Sequence, residues 1–303
     1  MGVALQLSGR IGHEDLDALC RELAPVHVLR EPTSVRCDLR RLELFDPSTL
    51  ALFIATMRSL RHQRICDPTD DYHPPGAEGL GRWLDPRAFE RLVAPLAGRG
   101  PADGGGIPTP RGCEPFIDGD GITRAITSLQ MATAGVWHLQ GLQSFGAMVA
   151  DMTENVLQHS GTSSGGVAAV GVDPVENRVS LAIADCGVGV RRSLMRNPEY
   201  RDIPDDLSAV STAISPGTTS DPGAGGGVGL FLARLVLRDN GGSFFIRSGD
   251  AAFQQGEKTF IARRLPHLPG TLVAVEARTD RIFDYARIDH WLQQPSGLSF
   301  PTS

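Results

Sequence analysis

The stretch that decides the fold is Phe145-Gly146-Ala147-Met148-Val149-Ala150-Asp151-Met152-Thr153-Glu154-Asn155-Val156-Leu157-Gln158-His159. At about 100° per residue, Phe145, Met148, Val149, Met152 and Val156 fall on one arc of a helix. Asp151 and Asn155 fall at its edge, where a buried face meets a cleft. Residues four apart are separated by about 6 Å along the axis, so both can address one bound ion and its phosphates. An amide oxygen is a good hard ligand for Mg²⁺, and a nearby carboxylate can orient or deprotonate a nucleophile. Polar boundary residues on any half-exposed helix look the same, so this stretch alone fixes no function. His159 lies inside the apolar arc and reads as structural.

Downstream, two strands are expected at 166–172 and 179–184, joined by a turn that suits an antiparallel pair. The second ends in Asp185-Cys186-Gly187-Val188-Gly189. A carboxylate at a strand end can accept a hydrogen bond from an exocyclic amine such as adenine's, and the glycines beside it let backbone approach a flat ring. A tight turn would use the same residues. Further on, Gly223-Ala224-Gly225-Gly226-Gly227-Val228-Gly229-Leu230 runs into a helix expected over 228–238. Free N–H groups at such a helix start form an anion site without lysine, and the glycines would let the preceding 208–222 close as a lid. Three more strands are expected, at 243–248, 258–263 and 271–276. Helices on a largely antiparallel sheet make an α/β sandwich.

The order and spacing of the three elements resemble the GHKL ATP-binding fold, shared by sensor histidine kinases, type II topoisomerases, Hsp90 chaperones and anti-sigma-factor serine kinases. Asp151, Asn155 and His159 match its N box; Asp185, Gly187 and Gly189 its G1 box; Gly225, Gly227, Gly229 and Leu230 its G2 box; Gly270-Thr271 its late Gly-Thr. The resemblance implies that Asn155 coordinates Mg²⁺, Asp185 reads adenine, and Gly187 and Gly189 line the ring pocket. It also implies that the 225–230 turn holds the phosphates of ATP and that Thr271 supports the adenine site. Asp151 stands where members that cleave ATP commonly carry Glu, which leaves nucleotide binding intact and base catalysis in question. The lid, 208–233, contains no Lys or Arg, so Arg191, Arg192 or Arg234 at its margins are the candidates to neutralise the γ-phosphate.

Upstream, residues 1–63 read as strand, helix, strand, helix, with the second strand at 35–39. Asp46-Pro47 opens the second helix, whose Leu50, Phe53, Ile54, Met57 and Leu60 should face inward. Cys37-Asp38-Leu39 and then Asp46-Pro47-Ser48-Thr49-Leu50 more loosely resemble a STAS domain, the fold of anti-sigma-factor antagonists, with Ser48 where those proteins carry a phosphorylatable serine. The glycine that usually follows is missing, and an ordinary helix cap accounts for the same residues. The expected organisation is a small STAS-like α/β domain (1–63), a Pro- and Gly-rich linker with one short helix near 84–96 (64–121), the GHKL domain (122–280) and a C-terminal tail (281–303).

Composition narrows the classes. The chain of 303 residues carries a net charge of −6, which argues against nucleic acid held by bulk charge. There is one lysine, Lys258, in a chain of 29 basic residues; a Walker-type phosphate loop and a eukaryotic-type kinase each need a lysine in a place that has none. Five scattered cysteines without a CxxC pair argue against a disulfide framework or zinc site. No apolar run approaches the roughly 20 residues of a membrane helix, so a cytoplasmic protein is expected. His13-Glu14-Asp15-Leu16 follows a strand and does not make a histidine-kinase phosphoacceptor helix.

Two readings remain. In one, the protein is an ATP-binding regulator in which nucleotide orders the lid and so selects a partner, a STAS-domain or sigma-factor-type protein or a second copy, with slow or no hydrolysis. In the other, it is a serine/threonine kinase of the partner-switching kind, with Asp151 accepting the hydroxyl proton. Asp151 and the bare lid lean toward the first.

Overall fold

β1 (Val3–Ile11), α1 (Leu16–His27), β2 (Val35–Phe45) and α2 (Pro47–His62) follow one another as the alternation of patterns predicts. The structure, a computed structural model, describes residues 2–11, 16–76, 84, 86–94, 112–221, 227–256 and 260–285. Asp46 caps α2 by accepting the Thr49 N–H at 2.8 Å, and the Ser48 hydroxyl donates to the same carboxylate at 2.9 Å. β2 continues six residues past the expected end at Leu39. β1 and β2 pair in parallel and the short β3 (Tyr72–His73) extends them to three strands. α3 (Pro86–Val93) packs on α2.

The second sheet is fully antiparallel, with strand order β4-β5-β6-β8-β7. Its strands are β4 (Cys113–Phe116), β5 (Gly166–Asp173), β6 (Arg178–Asp185), β7 (Ser243–Gln255) and β8 (Phe260–Arg278). α4 (Gly119–Ala132), α5 (Leu139–His159), α6 (Gly189–Leu194), α7 (Asp206–Ala213) and α8 (Gly229–Asn240) complete the described elements. The chain is therefore mixed α/β. Two expected strands, 258–263 and 271–276, belong to the single 19-residue β8; Lys258 itself lies outside the described residues. This first part of β8 pairs with β7 alone, and β8 bulges there: residues 269–270 fall between the pairs Ser248–Thr271 and Gly249–Leu268, and residues 265–267 lie between Leu268 and Arg264. Pro266 and Pro269 thus sit outside the paired positions, opposite Gly249 with φ +61°.

An antiparallel sheet commonly leaves one face wet. Here the strands bury both. Val170, Leu181, Ile183, Val273, Val275 and Phe244 point into a core shared with α4, α5 and α8, while their neighbours Ala169, Ala182, Ala184, Ala252 and Ala274 point the other way, toward α2. The row of alanines lets the helix approach β5 and β6 closely. α2 is accordingly buried almost all round, from Ser48 to Leu60, with Leu50 partly buried, and lies between the two sheets. Phe53, fully buried, sits 5.4 Å from Phe45 and 6.1 Å from Phe89 between ring centroids. Arg247 on β7, without solvent exposure, pairs with Asp17 of α1 and donates to the Pro266 carbonyl at 2.8 Å. Arg58 of α2 donates to the carbonyls of Leu92, Ala94 and Ser164. All five cysteines are unpaired thiols. Among the described residues, no helix is long and apolar enough to cross a membrane.

Because α2 contributes to a core that both sheets share, calorimetry should show one cooperative unfolding transition. Phe53→Ala should lower stability by about 3–5 kcal/mol without splitting it. Two separated transitions would contradict the shared core.

Candidate functional site

A pocket of about 160 Å³ opens where the C-terminal end of α5, the ends of β6 and β8, and the start of α8 converge. Seven of the residues singled out from the sequence line it: Asn155, Asp185, Gly189, Gly227, Gly229, Leu230 and Thr271. Gly187 does not line it but donates its N–H to Asp185 Oδ1 at 2.7 Å. Gly225 lies outside the described residues. Asp151 is set apart from the others. Its carboxylate accepts the Tyr285 hydroxyl at 2.6 Å, and it backs Gly229 from the side away from the pocket lining.

Asp185 is at the end of β6, opposite Thr271 in the β6–β8 register. It is 2% exposed. Burial pushes its carboxyl up to about 7, while the N–H of Gly187 and the backbone of Thr271 pull in the other direction. Among the described residues, no cation partners it. A carboxylate so placed favours a neutral hydrogen-bond donor such as an amine, and the surrounding Met152, Val156, Ile183, Val190, Leu194 and Val273 supply apolar walls.

The turn after Asp185 is held from two sides. The Val188 N–H reaches the Ser160 carbonyl at 2.8 Å. A Cβ on Gly187 would come within 2.2 Å of that same oxygen, so no larger residue fits. Ser248, 3% exposed, accepts the Val190 N–H at 2.9 Å and donates to the Gly270 carbonyl at 2.8 Å, fixing the start of α6 against β8. The sequence carried no sign of this role: a serine at a strand bend is too common to stand out.

The part of the lining formed by the start of α8 and by Thr218, Thr219 and Ser220 is polar. α8 begins at Val228 without a side-chain cap, so its first N–H groups remain for an outside acceptor. Gly227 takes φ +64°, and its Cα lies against the Thr218 carbonyl, where a Cβ would come within 2.6 Å. The Thr218–Ser220 segment thereby closes over the α8 start; Thr218 is anchored to the Thr212 carbonyl at 2.9 Å and Thr219 by Asn197 at 3.0 Å. Of the region read as a lid, residues up to Ala213 are helical, in α7. His159 Nδ1 pairs with the Ser220 hydroxyl at 2.8 Å, so this histidine ties α5 to the segment rather than merely filling core. Burial lowers its pKa, assisted by Arg196 and opposed by Asp221. Asn155 is half-buried, and its amide makes no hydrogen bond to any described residue.

None of the three arginines suggested for charge neutralisation lines the pocket. Arg191 and Arg192 face a different concavity, and Arg234 lies over the rings of Phe231 and Phe253. Cys186 contacts Thr56 of α2, and burial pushes its thiol up to about 12, which removes it as a nucleophile. Among the described residues, no cluster of three or more His, Cys, Asp or Glu side chains could hold a metal alone. No protein-family model matches the sequence, and no curated protein matches it at a significant level.

The raised pKa of Asp185 has a stability consequence. The folded state holds this proton more tightly than the unfolded chain, so the group's favourable contribution is complete below about pH 4 and is lost as pH rises through about 7. Asp185→Asn removes that loss. Its thermal midpoint relative to wild type should rise from pH 5 to pH 8, by the equivalent of a few kcal/mol. A midpoint difference that stays flat across this range would show that Asp185 titrates normally.

Proposed function

We propose that the chain is an ATP-binding regulatory protein of the GHKL type with a STAS-like N-terminal segment, in which bound nucleotide controls docking of a protein partner or a second copy and hydrolysis is slow or absent. One observation carries this reading. A buried carboxylate without a cation among the described residues, Asp185, and an uncapped, glycine-bounded helix start, Gly227–Leu230, line the same largely apolar pocket. The first suits an exocyclic amine and the second suits phosphates.

Asn155 fits as a ligand of Mg²⁺, because it lines the pocket and its amide has no partner among the described residues. Phosphate oxygens would have to complete the coordination shell, since no protein cluster does. When bound, Mg²⁺ would supply the charge neutralisation that the lining lacks. Thr218, Thr219 and Ser220 would close over the α8 start through hydroxyl and backbone groups rather than through lysine or arginine.

The kinase reading needs Asp151 at the reacting atoms and an accessible acceptor. Asp151 is hydrogen-bonded to Tyr285 outside the lining, and Tyr285, 4% exposed, is itself anchored by its N–H to the Ser144 hydroxyl at 3.1 Å. Ser48 is 4% exposed with its hydroxyl turned to Asp46. Both observations favour a binding switch over phosphotransfer within this chain.

Calorimetric titration should find Mg²⁺-dependent binding of ATP in preference to GTP, weakened roughly 10- to 100-fold in Asp185→Ala. Lack of ATP binding by the wild type sinks the reading. Asp151→Asn separates the two functions: a general base would lose on the order of 10²–10⁴ in phosphate release or transfer, whereas a residue that only braces α8 would leave the rate within about threefold.

A further inference from the structure

Behind the Cys186–Gly189 turn, on the side away from the pocket already described, lies a larger cleft of about 890 Å³. One wall is the C-terminal ends of α1 and α2; the other is α6 and the 266–270 stretch of β8. The floor is apolar, with Leu60 and Leu268 almost fully buried. Two of the few large apolar side chains exposed among the described residues, Val28 at 71% and Met195 at 39%, stand at this cleft.

The charge lining it runs against that of the whole molecule. Arg30, Arg191 and Arg192 line the cleft together with His267, against one acidic side chain in the lining, Asp206, which accepts the Asp250 N–H at 3.0 Å and keeps its charge, so the arginines outnumber it. Arg30 and Arg191 are oriented by backbone carbonyls, of His27 and Leu29 and of Ile203, which leaves their charge in place. Arg192 is exposed and has no partner among the described residues. In a chain of net charge −6, a cationic concavity of this kind concentrates anions locally.

We propose that this cleft docks an acidic peptide segment of a partner protein, with carboxylates facing Arg30, Arg192 and His267 and an apolar side chain seated between Val28 and Met195. Shape selects the class of ligand. A concave slot between two helix ends and a strand admits a few residues of extended chain, but not the flat face of a bilayer or the width of a duplex. The apolar floor and rim would go unused by a free anion. This site is independent of the nucleotide reading, because none of its cations belongs to the smaller pocket.

The test is selection of a phage-displayed random peptide library on the full-length protein, run in parallel on the Arg30→Glu, Arg192→Glu double variant. Both positions are exposed, so the variant should keep the wild-type circular dichroism and thermal midpoint. Wild-type selection should enrich peptides rich in Asp and Glu around an apolar residue. A synthetic peptide of the enriched sequence should bind at least about tenfold more weakly to the double variant, and more weakly as salt rises. Met195→Ser should weaken it without changing the salt slope. Absence of enrichment over the double variant, a consensus without acidic residues, or binding indifferent to the charge reversal overturns the proposal. So does tighter binding of phosphatidylserine vesicles or of duplex DNA than of the selected peptide.

Discussion

The structure depends on one helix having no free side. α2 lies between a parallel sheet and the alanine face of an antiparallel one, and its side chains from Ser48 to Leu60 are consumed by both. An antiparallel sheet with two dry faces is stable only while something apolar covers each. The first 62 residues are therefore the second cover of the five-stranded sheet as much as a unit of their own. Buried polar ties reinforce the arrangement: Arg247 with Asp17 joins β7 to α1, and Arg58 draws three carbonyls toward α2, two from the end of α3 and one from the segment before β5. Such ties add less to stability than the apolar contacts, but each leaves a buried charge stranded if its partner moves, and so holds the register of the layers.

That packing also sets the functional end of the sheet. Thr56 of α2 touches Cys186, the residue after Asp185, so the cover reaches the turn that lines the pocket. The turn is then gripped by Ser160 from one side and Ser248 from the other. Asp185 is kept in a place where burial makes ionisation costly. Among the described residues, no arginine or lysine lines the pocket, so in the proposed reading negative charge would be held by backbone N–H groups at the start of α8.

Much of this was legible in the chain. The apolar arc of α5 survives intact, because helical periodicity over 21 residues is a strong local signal. The Asp46 cap and the strand-to-turn step at Asp185 are local too, and the residues read from them lie where the spacing placed them. What escaped was long-range. Tyr285 meets Asp151 across 134 positions, and Ser248 meets Val190 across 58. Neither pairing leaves a trace in any window a periodicity argument can use. β8 was read in two pieces because the residues between them, Pro266 and Pro269 among them, bulge out of register, and only the pairing with β7 on both sides of the bulge makes it one strand. The all-round burial of α2 was hidden for a different reason: Ser48, Thr49, Thr56, Arg58 and Ser59 look like a solvent face until the second sheet arrives to cover them.

The Cys186–Gly189 turn is a partition one backbone thick. Gly189 contributes to both concavities, with the smaller pocket on one side and the cationic cleft on the other. Occupants of the two sides would thus share Gly189, the residue of the turn that lines both. Linkage makes that arrangement symmetric: whatever factor a guest on one side imposes on the affinity of the other is returned to it in full. The fusion of the two segments thereby places a shared wall, rather than a hinge, at the centre of the molecule.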